Sequence, residues 1–270
     1  FDFYLTGPAR SIFAREGVKN INIKKELIKI NSYDLCLLGT SLDCDTQSEI
    51  INTCKINKIY TISILDHWVN YKERFVYKNK LLLPEEIWVF DDYAKNLAKS
   101  LLNFKNIKVK KNYLILNKIK SYKAIPEYKP KHILYLSENI PSIRNIVKGK
   151  KFDDFTALGF FLENKKICEE ALNLSEINNI LIRPHPSQKQ FNIDFYKNKY
   201  LDYNFEINNS ENLLKQIKQS YYIVGVDTMA MAIAIELGKK VFSSVPLEYK
   251  NNLFHLLPYE QSITKISDLH

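Results

Sequence analysis

The sequence predicts an α/β protein made of two Rossmann-like domains that face a cleft. Strand-like apolar runs alternate with helix-like segments along almost the whole chain, the pattern of a mainly parallel sheet with helices on both faces. A charged stretch with two prolines, Lys118 to Lys131, shows no clean period and interrupts that alternation. It reads as a linker between an N-terminal Rossmann-like domain (1–125) and a C-terminal Rossmann-like domain (126–270).

The N-terminal half opens on Phe1 to Leu5, already strand-like, so a segment upstream is expected. Asp34 to Gly39 is an apolar run and reads as a buried strand, and Thr46 to Ile56 as a helix. Lys58 to Asp66 is rich in β-branched and aromatic residues, hence a strand. Trp68 to Phe75 reads as a helix and Glu86 to Phe90 as a strand. Tyr93 to Leu102 carries Ala94, Leu97, Ala98 and Leu101 at helical spacing. Ile107 to Lys111 is a short strand.

In the C-terminal half, His132 to Leu136 is a strand and Asp153 to Leu172 a long helix. Asn179 to Arg183 is a buried strand. Ser210 to Ser220 is a helix with Ser210-Glu211-Asn212 as its start signal. Tyr221 to Val226 is a strand, Thr228 to Leu237 an Ala- and Met-rich helix closed by Gly238, and Lys240 to Ser243 a last strand.

Composition narrows the class. Of 270 residues 46% are hydrophobic, enough for a real core and too many for a disordered chain. The net charge of +9 favours acidic partners, but the lysines are scattered, so charge alone names none. No basic stripe is interleaved with aromatics, and nucleic acid is not an expected partner. Cys36, Cys44, Cys54 and Cys168 form no C-x-x-C pair, so no zinc site is expected, and the usage suits a reducing cytoplasm. There is no signal peptide and no apolar run of membrane-spanning length. Only seven glycines occur, with no G-x-G-x-x-G, no Walker pattern and no G-x-S-x-G. Dinucleotide oxidoreductases, P-loop NTPases and hydrolases with a nucleophile elbow are disfavoured.

The chemistry-bearing residues gather at strand ends. Arg183-Pro184-His185-Pro186-Ser187 follows the apolar run Ile180 to Ile182. The prolines fix φ and remove donors, so the histidine sits on a stiff turn. Glu138 follows the strand at His132 to Leu136, Asp227 and Thr228 follow Tyr221 to Val226, and Ser243 and Ser244 end the last strand. In a parallel sheet these ends share one edge, where open α/β sheets bind ligands. Hydroxyls and a helix N-terminus suit a phosphate, and a carboxylate suits ribose hydroxyls or a base amine. Asp227 or Thr228 alternatively serves as a helix cap.

In the N-terminal half, Asp66 ends a strand, and His67, Asn70 and Arg74 follow. A carboxylate there can act as base or nucleophile. Asn70 and Arg74 share a face if the segment is helical, and Arg74 can pair with a substrate carboxylate. Alternatively Asp66 caps the helix and Arg74 pairs with Glu73 or Glu85. Thr40 and Ser41 offer a second wall. Asp43-Cys44-Asp45 matches a D-x-D metal triplet, a pattern common at helix starts.

The ordered segments LDHWVNYKERF, LPEEIWVFDDYA, RPHPS and VGVDTMAMAIAIELGKKVFSS resemble GT-B glycosyltransferases that use CMP-activated ulosonic acids. The likeness is nearest to retaining β-Kdo transferases, with bacterial sialyltransferases beside them, and spans roughly Leu35 to Pro246. It implies that His185 and the Pro186 turn hold the CMP phosphate, with Ser243 and Ser244 as paired hydroxyls. It implies that Glu138 contacts cytidine, and that Arg183, Asp227 and Thr228 line the donor site. Asp66 is the catalytic carboxylate by position, and Thr40, Ser41, His67, Asn70 and Arg74 bind substrate. The implied reaction moves an acidic keto sugar (Kdo, sialic acid or a related nonulosonic acid) from a CMP-sugar to a bacterial surface glycan or glycolipid. No metal or other cofactor is needed, and the enzyme is cytoplasmic, with peripheral contact at the inner membrane. A GT-B transferase using a UDP- or GDP-sugar, and a non-catalytic nucleotide- or glycan-binding module, are the alternatives.

Overall fold

The computed structural model describes residues 2–5, 8–15, 22–23, 33–40, 45–138, 146–147, 150–186, 188, 191–226, 228–249 and 257–269. The chain divides into two compact units, Phe1–Lys111 and Asn112–His270. Each is α/β with a parallel main sheet, the fold class the sequence predicts.

In the first unit, β1 (Asp2–Phe3), α1 (Pro8–Arg15) and β2 (Asn22–Ile23) come first, with β1 and β2 paired in parallel. Then follow β3 (Leu35–Gly39), α2 (Asp45–Ile56), β4 (Tyr60–Ile64), a small hairpin of β5 (Val76–Tyr77) and β6 (Lys80–Leu81), β7 (Glu86–Val89), α3 (Asp92–Leu102) and β8 (Ile107–Val109). The main sheet has the order β3-β4-β7-β8, all parallel. Asp91 starts α3 by accepting from the Ala94 amide at 2.6 Å, a cap worth about 1 kcal/mol.

The expected helix over 68–75 is not formed. Asn70 takes a left-handed φ of 59°, which breaks a helix, and only a 3₁₀ turn at Glu73–Phe75 remains.

The second unit begins with α4 (Tyr113–Ala124), whose second half takes up the first part of the stretch read as a linker, Lys118 to Lys131. Asn112 caps it, and from the same unit Lys218 Nζ reaches the Ile125 carbonyl at 2.6 Å and stands over the Tyr122 ring. There follow β9 (His132–Leu136), β10 (Ile146–Val147), β11 (Lys150–Lys151), α5 (Asp154–Glu163), α6 (Lys165–Ala171), β12 (Asn179–Arg183), α7 (Asp194–Lys199) and β13 (Asn204–Ile207). The unit continues through α8 (Leu213–Lys218), β14 (Ser220–Gly225), α9 (Met229–Glu236), β15 (Val241–Ser243) and β16 (Ile263–Lys265). The long helix expected over 153–172 is two helices, because Asn164 leaves helical geometry, its backbone amide donating to the Phe161 carbonyl at 3.0 Å and its side-chain Nδ2 to the Phe160 carbonyl at 2.8 Å.

The main sheet of this unit has the order β13-β12-β9-β14-β15-β16, all parallel. Counting its strands in chain order, that is 3-2-1-4-5-6, the doubly wound order whose direction of travel reverses beside the first strand. Every residue of β9 is buried, as a central strand covered on both faces requires. One core face packs Ile133, Tyr135, Leu158, Phe161, Ile182 and Tyr222 together. A second cluster joins Phe152, Ala157, Val226, Val245 and Tyr249.

Candidate functional site

Register aligns the strand ends of the second unit. Leu136 of β9 pairs with Arg183 of β12 and with Gly225 of β14, and Gly225 pairs with Ser243 of β15. The segments that follow therefore leave one edge of the sheet from one row. The reversal point lies between β9 and β14, where such sheets open a crevice beyond their carboxyl ends. Glu138 follows β9 there, and Thr228 opens α9 there. The backbones approach closely: a Cβ on Gly225 would lie 2.9 Å from the Leu136 carbonyl oxygen and 2.9 Å from Met231 Sδ.

Several residues proposed from sequence carry structural duties at this edge. Arg183 is half-buried, and its Nη1 donates to the Glu211 carbonyl at 2.8 Å and to Gln216 Oε1 at 2.6 Å. Gln216 in turn donates to the Asn208 carbonyl at 3.0 Å, so Arg183 fastens the loop before α8. Ser243 and Ser244 are buried. Their hydroxyls donate to carbonyls at the end of β14, Ser243 to that of Val226, just past the strand, at 3.5 Å and Ser244 to that of Gly225 at 3.2 Å. Thr228 is the N-cap of α9, with its Oγ1 3.5 Å from the Ala230 amide.

His185 and Pro186 sit on the turn after β12, His185 half-buried and Pro186 exposed. Burial pushes the His185 imidazole below its ordinary value, which favours the neutral ring. Asp227, Ser187 and Ser41, with the Asp43-Cys44 part of the acidic triplet, lie outside the described residues.

The carboxyl edge of the first unit holds a second polar group. Arg74 is 8% exposed, although it bears a charge. Its Nε donates to the Val69 carbonyl at 3.3 Å. Its Nη1 donates to Thr40 Oγ1 at 3.0 Å, the Thr40 carbonyl at 3.3 Å and Asp66 Oδ1 at 3.3 Å. Thr40 completes the tie between the ends of β3 and β4 by donating to the Ile64 carbonyl at 2.7 Å. Arg74 thus pairs with Asp66, and it faces inward. Asn70 contributes its backbone carbonyl to the Arg74 amide at 3.1 Å. His67 Nδ1 accepts from the Trp68 amide at 3.0 Å.

Residues that the sequence reading missed complete both edges. Trp68 Nε1 donates to Asp91 Oδ2 at 2.8 Å and ties the end of β4 to that of β7. Tyr71 is 1% exposed, and burial with the neighbouring Asp91 charge pushes its phenol well up, so it stays protonated. In the second unit Asp154 and Gln188 meet Ser137 behind the β9 edge. A tandem Asp153-Asp154 before an apolar helix was the available signal, since one cap needs only one acid.

The fold is GT-B-like in class. No protein-family model matches the chain, and no curated protein matches it in sequence. In structure it is similar to UDP-GlcNAc 2-epimerase of Methanocaldococcus jannaschii, solved with UDP-GlcNAc and UDP, at a TM-score of 0.52 and 12% identity. The match covers 88% of this chain and 66% of that one, just under two thirds of the epimerase. At this identity the likeness concerns the fold. Among the described residues no helix is long and apolar enough to cross a membrane.

Proposed function

We propose that the chain is a nucleotide-sugar-dependent enzyme that binds its nucleotide at the reversal point of the six-stranded sheet. The observation that carries this is the row Arg183, Leu136, Gly225, Ser243 in a 3-2-1-4-5-6 sheet. The segments that carry Glu138, His185 and the start of α9 all leave the sheet from that row, which supports the reading. In this proposal His185 and the α9 N-terminus hold the phosphate, and Glu138 accepts from the nucleoside.

The finer reading is transfer of an acidic keto sugar from a CMP donor to a glycan acceptor, in the cytoplasm and without a metal, with peripheral contact at the inner membrane. The bond from the anomeric carbon to the CMP oxygen breaks and CMP leaves with its negative charge. A new bond forms to the acceptor oxygen, whose proton goes to a base. Asp66 is the proposed carboxylate, either as a nucleophile that forms a glycosyl adduct or as that base. The sequence resemblance supports the CMP donor. A UDP-sugar enzyme is the second reading, favoured by the structural neighbour solved with UDP-GlcNAc.

The test is calorimetric titration with CMP and UDP, then incubation with CMP-Kdo, CMP-sialic acid, CMP-pseudaminic acid and UDP-GlcNAc, with and without EDTA. CMP release that survives EDTA is expected from one CMP-sugar. Binding of UDP alone overturns the CMP donor in favour of the second reading, and no binding of either nucleotide removes both.

A further inference from the structure

We propose that Asp154 is the positioning residue of the nucleotide edge, its buried carboxylate fixing in one arrangement the Ser137-Glu138 segment and Gln188, whose amide bonds the His185 carbonyl. The proposal rests on reading that edge as the nucleotide site.

The helix does not need Asp154. The N-cap of α5 is Asp153, whose Oδ1 accepts from the Thr156 amide and hydroxyl, each at 2.8 Å. The carboxylate of Asp154 turns instead toward the end of β9. Its Oδ2 lies 2.6 Å from Ser137 Oγ, and its Oδ1 accepts from the Glu138 amide at 3.1 Å. Ser137 Oγ is also 2.7 Å from Gln188 Oε1, and the Gln188 side chain hydrogen-bonds the carboxylate itself. The Gln188 amide closes the turn onto the His185 carbonyl at 2.8 Å. Tyr135 Oη, 3.5 Å from Asp154 Oδ1, also bonds the Ser244 side chain, which extends the network toward β15. One carboxylate thus reaches the segments that carry Glu138 and His185.

The energetics argue against a passive filler. Asp154 is 6% exposed, and among the described residues no basic side chain pairs with it. Burial raises its pKa while the bonds from Ser137, Glu138, Gln188 and Tyr135 lower it. An apolar residue would avoid burying an acid here, whereas only an acceptor with two oxygens can take bonds from both segments at once.

The experiment compares the full chain with Asp154→Leu, a change of similar size that leaves the Glu138 amide and the Ser137 hydroxyl without their acceptor. Readouts are thermal stability, hydrogen exchange at the Glu138 and Gln188 amides, and affinity for whichever of CMP and UDP the unaltered protein binds. Exchange at both amides is expected to quicken at least tenfold, and nucleotide affinity to fall about tenfold. Asp153→Ala is the comparison for a purely structural loss: it lowers the melting temperature and leaves the Glu138 amide and nucleotide affinity unchanged. If Asp154→Leu does not fold, Ser137→Ala is read in its place, with the same direction expected. Unchanged exchange at both amides overturns the proposal, as does quicker exchange with full nucleotide affinity. If the unaltered protein binds no nucleotide, the reading of the edge fails. The exchange data then still decide whether Asp154 clamps the two segments.

Discussion

Arg74 Nη1 lies 3.3 Å from Asp66 Oδ1, and the two side chains are unlike in exposure: 9% for the arginine, 67% for the aspartate. The guanidinium is fixed from behind by Thr40 and Val69, while the carboxylate projects into solvent at the end of β4. Asp66→Asn is expected to lower turnover by about 10²–10⁴ and to leave nucleotide affinity unchanged, as steady-state rates and calorimetry will show. Arg74→Lys keeps a charge but loses the planar fork that reaches several acceptors, so it is expected to lower both turnover and melting temperature. Wild-type rates in Asp66→Asn place the reacting carboxylate elsewhere.

The strands of the second unit were legible because burial on both faces writes an unbroken apolar run, as in His132–Leu136 and Asn179–Arg183. The helix α9 was legible from Thr228 at its start and Gly238, with φ of +77°, after its end. What escaped depends on contacts remote in sequence. The helix α4 hides in a charged stretch because its end is anchored by Lys218, far along the chain. The breaks at Asn70 and Asn164 turn on the backbone conformation of one residue. The strand ends that form the candidate edge could be read off. That Arg183 is engaged by Glu211 and Gln216 could not, because nothing local announces either partner.

Gly225 has a steric requirement at the reversal point. Its would-be Cβ meets the Leu136 carbonyl, which is backbone and cannot rotate away. Gly225→Ala is expected to destabilise the second unit by about 1–3 kcal/mol and to weaken nucleotide binding by parting β9 from β14. Denaturant unfolding followed by titration checks this; a variant as stable as the parent means the strands already tolerate a wider gap.

Arg183 separates a ligand role from a structural one. Its Nη1 bonds the Glu211 carbonyl just before α8 and the Gln216 side chain within it, and burial lowers its pKa with Glu211 opposing. Arg183→Gln is expected to reduce stability by about 1–3 kcal/mol, the cost of leaving buried acceptors unmade, while changing nucleotide affinity less than threefold. A large loss of affinity at unchanged melting temperature assigns the guanidinium to the phosphate instead.

His132, at the start of the central strand, sets a pH dependence of stability. It is 5% exposed, and its Nε2 lies 3.3 Å from the Gln216 carbonyl, which the neutral ring donates to as the Nε2–H tautomer. Burial lowers its pKa below the ordinary 6.5. Lys131 adds to that, and the Gln216 carbonyl, Glu206 and Glu211 oppose it. Below pH 6.5 the unfolded chain therefore takes up a proton that the folded chain refuses, and stability contributed by the neutral imidazole is lost as pH falls from 6.5 toward the lowered folded value. His132→Gln keeps a donor for the Gln216 carbonyl and removes the titration. Its stability is expected to fall less steeply than the parent's between pH 7 and pH 5 in urea unfolding at each pH. Identical slopes mean that His132 reaches solvent and protonates within the folded protein.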